Sequence, residues 1–375
     1  MSFSYKTFMS LTHFPGLDGL RAFACLVVVE QHLADELIPH IDGRGGVYIF
    51  FVLSGFLITT LLLREEEKYK TISVKAFYIR RTFRIFPVYY FVLALYCALY
   101  LIVPLMLSEP NYTLVINGGQ MKTALPYYIF YFPEYIPDNM TAGFGQAWSL
   151  GIEEKFYLVW PVMGFIAIGY AKREWRLKLT LILAIILLGV YGLLISLDIK
   201  QGFQGYYMLA IGCLLALLLN EEKSYARFQA LVNNAFGPAI IILLFAAVYV
   251  YRVQFEPFII AIYPLAVAAL IGLAVIGNGK VTAFLEIRAF RFIGLISYGI
   301  YLIHILAINA VQMVIEPGSG SLAITTLIFL CSVGLSIFAA WLMYLTIEKP
   351  CIHYGRKLSR AVKRPAPSEL ASENG

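Results

Sequence analysis

An arginine and a histidine stand eleven residues apart in an otherwise apolar stretch, PGLDGLRAFACLVVVEQH at residues 15–32. In a helix turning about 100° per residue, Arg21 and His32 fall about 20° apart on one face, Asp18 about 40° from His32, and Glu30 opposite Arg21. A rise of about 1.5 Å per residue separates Arg21 from His32 by about 16 Å along the axis. A guanidinium can hold an anion and an imidazole can move a proton, so such a pair can line a path most of the way through a bilayer. Each charged side chain in a span costs roughly 2.5 to 3.5 kcal/mol on the insertion scale, so these groups need partners or a water-filled cavity. The plainer reading is a structural Asp18–Arg21 pair near the headgroups and a satisfied His32.

Other segments carry chemistry-capable side chains. FYIRRTFRIFP at 77–87 holds Arg80, Arg81 and Arg84; Arg81 and Arg84, three apart, are helix neighbours that can hold phosphates bidentately, although any cytoplasmic flank also attracts arginine. FFVLSGFLIT at 50–59 places Ser54 and Gly55 in an apolar run, a pattern of close helix packing; a serine nucleophile there needs a base beside it. WSLGIEEKFYLVWP at 148–161 puts Glu153 and Glu154 into a segment that Trp148, Tyr157 and Trp160 anchor at the interface. A carboxylate there can orient an imidazole or accept a hydroxyl proton, or serve a plain interfacial role. His304 in SYGIYLIH (297–304) and Glu348 in TIEKP (346–350) are each, alone, more often structural. No pair among Cys25, Cys97, Cys213, Cys331 and Cys351 has metal-ligand or redox spacing, so all five read as packing residues and no metal site is expected.

The elements that must position these residues are membrane helices. The chain is 60% hydrophobic and 14% charged, with a mean hydropathy of +0.75, more apolar surface than a water-soluble fold can hide. Cut at its charged clusters, it yields ten apolar segments: 14–33, 46–63, 85–106, 150–170, 178–197, 204–219, 236–252, 257–276, 292–315 and 321–346. The runs are continuous, without the two-residue alternation of a barrel wall, so the expected fold is an all-α polytopic bundle of about ten transmembrane helices.

If the N-terminus is cytoplasmic, 23 of the 29 Lys and Arg fall on the cytoplasmic side, five outside, and Arg21 within the first span. The positive-inside rule then puts both termini in the cytoplasm and makes the protein multi-pass in the plasma or inner membrane. That asymmetry accounts for the net charge of +6 without a nucleic-acid partner. The first segment, with Asp18 and Arg21 and no clean small-residue cleavage site, is expected to remain as a span. Residues 1–350 read as one membrane domain and 351–375 as a short, basic, disordered cytoplasmic tail against anionic headgroups. The external segment 107–147, rich in Tyr and Phe, is expected to fold over the outer mouth, where its rings stack on sugar or simply pack. No internal repeat is visible, which disfavours inverted-repeat transporters.

Taken in order, GLDGLRAFA with His32, FFVLSGFLI, the Arg81-x-x-Arg84 pair, WSL-x-x-E with FYLVWP, SYGIYLIH and EKP resemble the acyltransferase-3 family of membrane proteins, which includes bacterial O-acetyltransferases of lipopolysaccharide and exopolysaccharide. The resemblance covers about residues 15–350. It implies a ten-span core that takes an acyl group, commonly acetyl, from cytoplasmic acyl-coenzyme A and delivers it to a carbohydrate hydroxyl outside. Arg21 and His32 match the family's essential first-span pair, Arg81 and Arg84 its cytoplasmic arginine motif, and Glu153 its WSL-x-x-E position. No hydrolase-like domain follows, so a second transfer step is expected to need a separate protein.

The resemblance thus assigns Arg81 and Arg84 to the phosphates of the co-substrate, Arg21 to the pantetheine arm or thioester, and His32 to the acceptor hydroxyl's proton. Acyl-coenzyme A is a co-substrate here and no bound cofactor is expected. A covalent acyl-histidine is an alternative to direct transfer, and the carboxylate assisting His32 is Glu153, Glu154 or none. Acetyl is the default group and succinyl the second; the acceptor is a polysaccharide, a glycolipid such as a lipid-linked oligosaccharide, or a small molecule. A transporter with Arg21, His32 and the glutamates along a proton or substrate path is the rival reading.

Overall fold

A backbone in hydrocarbon has no water to satisfy its amides, so the apolar runs close their hydrogen bonds within helices. A computed structural model describes residues 4–11, 13–14, 16–33, 42–106, 112–137, 140, 143–167, 173–197, 202–251, 258–277, 279–316 and 321–362, all helix, turn or loop. Its helices of eight residues or more are α1 Leu17–Gln31, α2 Arg44–Tyr69, α3 Val74–Cys97, α4 Tyr112–Ile129, α5 Trp148–Val162, α6 Arg173–Ser196, α7 Gln204–Leu219, α8 Glu222–Asn233, α9 Gly237–Tyr251, α10 Phe258–Ile276, α11 Arg288–Leu295, α12 Ser297–Gln312, α13 Leu322–Met343 and α14 Lys349–Ala361. Short π-helical stretches, Ala98–Ile102, Met163–Ala167 and Tyr344–Glu348, follow α3, α5 and α13.

Each of the ten apolar segments falls on a helix. Five helical stretches are long and apolar enough to cross a bilayer, or seven when the bent pairs α8–α9 and α11–α12 each count as one span. The protein is therefore a multi-pass, all-helical membrane protein across its described residues.

Small residues set the helix crossings. A Cβ on Gly55 of α2 would meet the Leu209 carbonyl oxygen of α7, and one on Gly212 of α7 would meet the Val52 carbonyl oxygen of α2, so the two backbones touch through reciprocal glycines. Gly294 of α11 likewise lies against the backbone of Asp18 on α1. Helices α1 and α12 run parallel: Cys25 Sγ donates to the Ser297 carbonyl at 3.7 Å, and seven residues further along both chains the His32 and His304 rings meet.

One expectation changes, and one open alternative narrows. The tail expected to be disordered from residue 351 instead continues α13 through the π-helical stretch into α14. It is held because Gly355 and Ser359 are buried, the Gly355 backbone lies against Phe83, and Tyr354 packs on Phe83 with ring centres 5.3 Å apart; Arg356, Lys357 and Arg360 stay exposed. Residues 363–375 lie outside the described residues. In the external segment, many of the aromatics are internal packing: Tyr89 stacks on Tyr131 at 4.3 Å, while Tyr128 and the fully buried Phe144 meet at 5.1 Å. Phe130, Phe132 and Tyr135 remain exposed, whereas 107–111, 138–139 and 141–142 lie outside the described residues.

Candidate active site

Three helices bring charge to one cleft. Arg21 projects from the first turns of α1, Arg81 and Arg84 from neighbouring turns of α3, and Glu153 from the second turn of α5; with Ser54 of α2 and Ser297, Tyr298 and Tyr301 of α12 they line about 800 Å³ of open space. Three guanidiniums and one carboxylate stand in this lining, forked donors of the kind that hold anions. Arg84 is exposed at the mouth. Arg81 lies over the Tyr157 ring, 4.9 Å from its centre, a contact that fixes the direction of its fork. Arg80, the third arginine of the motif, is not in the lining: it pairs with the buried Glu65 at 2.9 Å.

Arg21 keeps the local partner that the plain reading assigned it, Asp18 Oδ1 at 3.1 Å, and lines the cleft as well. The structural pair and the cleft residue are the same side chain. Glu348, buried in the π-helical stretch after α13, is a charged neighbour of Arg84 and Arg21.

Both carboxylate oxygens of Glu153 are used. Ser54 Oγ donates to Oε1 at 2.9 Å and the Tyr157 hydroxyl donates to Oε2 at 2.9 Å. Arg81 and Arg21 are its charged neighbours. Ser54, read in sequence as a packing serine without a base, thus has a carboxylate on its hydroxyl, while the adjacent Gly55 makes the close helix contact.

His32 is not among the residues lining the cleft. It caps the C-terminal end of α1, with its Nδ1 2.8 Å from the Val28 carbonyl oxygen. A carbonyl only accepts, so Nδ1 carries the proton and, in the neutral ring, Nε2 presents a lone pair. Its ring neighbour is His304, edge to face with centres 4.9 Å apart. Glu153 therefore bonds at the arginine end; of the alternatives open in sequence, Glu153, Glu154 or no carboxylate beside His32, both oxygens of Glu153 are taken by Ser54 and Tyr157.

Between the two ends α12 carries a file of hydroxyls. Tyr301 donates to the Gln146 carbonyl oxygen at 2.6 Å, so Ser149 Oγ, 2.7 Å away, must be the donor to the tyrosine oxygen. Tyr301 lines the cleft and His304 follows one helical turn later, fully buried. His304, Ser149 and Gln146 were not read as site residues, because their partners lie about 150 to 270 positions away in sequence. The local signals are the SYGIYLIH motif for His304 and the WSL-x-x-E motif for Ser149.

The chain matches the acyltransferase domain family over residues 14–345. It is 28% identical over 327 residues to the peptidoglycan O-acetyltransferase OatA of Listeria monocytogenes, covering 82% of this chain and 51% of the relative. It is 29% identical over 372 residues to the O-acetyltransferase OatA of Staphylococcus aureus, covering 92% of this chain and 58% of the relative. The chain thus spans little more than half the length of these curated relatives. No solved structure matches it.

Proposed function

The chain belongs to the acyltransferase-3 family, and from that premise we propose that it is a membrane-embedded O-acyltransferase moving an acyl group, acetyl first among candidates, from cytoplasmic acyl-coenzyme A to a carbohydrate hydroxyl at the outer face. The observation that carries this reading is the convergence of Arg21, Arg81 and Arg84 on one cleft. Phosphates of the co-substrate need such forked, permanently charged donors, and a thin pantetheine arm can continue where the nucleotide cannot. Arg81 and Arg84 bind the phosphates, and Arg21, steadied by Asp18, holds the arm.

In this reading the ten apolar segments are ten spans in the plasma or inner membrane, with both termini cytoplasmic, as the distribution of Lys and Arg favours. The arginine cleft then opens inward. The parallel α1 and α12 lead outward to His32, whose Nε2 lone pair takes the acceptor hydroxyl's proton as its oxygen attacks the thioester carbon. The carbon–sulfur bond breaks and the leaving thiolate receives a proton. The relatives' names make peptidoglycan the first acceptor to test. The family assignment weighs against a transporter, whose path would need no acyl donor.

Purified protein given radiolabelled acetyl-coenzyme A and peptidoglycan fragments is expected to release free coenzyme A in an acceptor-dependent way. His32→Ala should abolish this while leaving expression and membrane insertion intact. Normal turnover by that variant would refute the role of His32.

A further inference from the structure

We infer that His304 is the proton partner of His32, so that the acyl transfer runs on a pair of imidazoles and not on a single base. The inference rests on the function proposed above. His304 is fully buried on α12, and its Nδ1 lies 2.7 Å from the Tyr301 carbonyl oxygen. That carbonyl can only accept, so the proton sits on Nδ1 and Nε2 is left with a lone pair. Nε2 has no hydrogen-bond partner among the described residues, although a buried polar atom is normally paired. The neighbouring imidazole is that of His32, with ring centres 4.9 Å apart and planes inclined at 70°. Both imidazoles are thus held in the same tautomer by backbone carbonyls, with both Nε2 atoms free of local donors in the neutral state.

A histidine base that takes a proton in a site of low dielectric needs something to stabilise the imidazolium. In serine hydrolases a buried carboxylate on Nδ1 does this. Here the Val28 carbonyl occupies that position and brings no negative charge, and Glu153 is engaged by Ser54 and Tyr157 at the cleft end. The bare Nε2 of His304 supplies the missing acceptor. The proton leaving the acceptor hydroxyl reaches His32 Nε2 and is shared with His304 Nε2, which spreads the positive charge over two rings. As the new ester bond forms and the carbon–sulfur bond breaks, that proton passes on to the coenzyme A thiolate, so the two rings end neutral. His304 touches the proton and not the acyl carbon; it is a positioning and charge-sharing residue.

The test uses membranes from cells expressing the full chain, which carry their own acceptor, with radiolabelled acetyl-coenzyme A and base-labile label as the readout. His304→Ala is expected to lower the transfer rate by about 100-fold, the range of one general acid–base group, with the KM for acetyl-coenzyme A unchanged. Added imidazole should restore a substantial part of that rate, and pyrazole, equal in shape but far less basic, should not. Where His304→Ala fails to accumulate, His304→Gln keeps the volume and is expected to lose the rate to a similar degree. A His304→Ala or His304→Gln rate within about threefold of the parent, or equal rescue by imidazole and pyrazole, would overturn the inference and assign His304 to packing. Absence of labelled ester with the parent protein itself would refute the function on which the inference rests.

Discussion

A backbone carbonyl four residues back on α1 fixes which nitrogen of His32 is free, and the Tyr301 carbonyl does the same for His304. Each neutral imidazole therefore carries its proton on Nδ1 and leaves the Nε2 lone pair available, as the proposed base role requires. At the other end the arginines work through geometry as much as charge. Replacing Arg81 by lysine keeps the charge but removes the planar fork that lies over Tyr157, so the KM for acetyl-coenzyme A should rise about tenfold, roughly 1.4 kcal/mol, with kcat little changed. Steady-state kinetics on membranes checks this, and an unaltered KM would remove Arg81 from the donor site. The residue types were legible in sequence: arginines three apart at a helix start and a charged face in an apolar span can be read from spacing alone. The partners were not. Ser54 and Glu153 are 99 positions apart, and no local pattern announces that the serine lies on that carboxylate.

Helix contacts explain why the site residues meet. The α2–α7 crossing is set by Gly55 and Gly212, each with its Cα facing a carbonyl of the other helix, and α2 delivers Ser54 to the cleft from the adjoining position. Gly55→Val should therefore destabilise the bundle by about 1–3 kcal/mol, the usual cost of overpacking a core, and lower the thermal midpoint of detergent-solubilised protein. A midpoint equal to the parent's would show that the crossing tolerates a side chain. The crossing is partly legible, because a Ser-Gly pair inside an apolar run already signals close packing. The helix at Lys349–Ala361 was not: its segment is polar and basic, and it is held by Phe83 of α3, a tertiary contact that composition cannot reveal. The expected ten apolar segments all prove helical, while their number as full spans is clearest for the five long enough to cross unaided.

At the scale of the whole molecule, the proposed reaction is directional. The donor cleft carries three guanidiniums at one end of α1, and the histidine pair stands at the other end, reached along the parallel α1 and α12. In the proposed reaction coenzyme A is too polar to cross a bilayer, so its pantetheine arm would carry the thioester at its tip toward the histidine end, over the rise of about 16 Å from Arg21 to His32. The measurement that tests this most directly uses sealed membrane vesicles of both orientations with radiolabelled acetyl-coenzyme A added outside. Inside-out vesicles, which expose the cytoplasmic face to the donor, should form labelled ester on glycan of the opposite face, and right-side-out vesicles should form none. Equal labelling in both orientations, or labelling only in right-side-out vesicles, would contradict a donor site that opens to the cytoplasm.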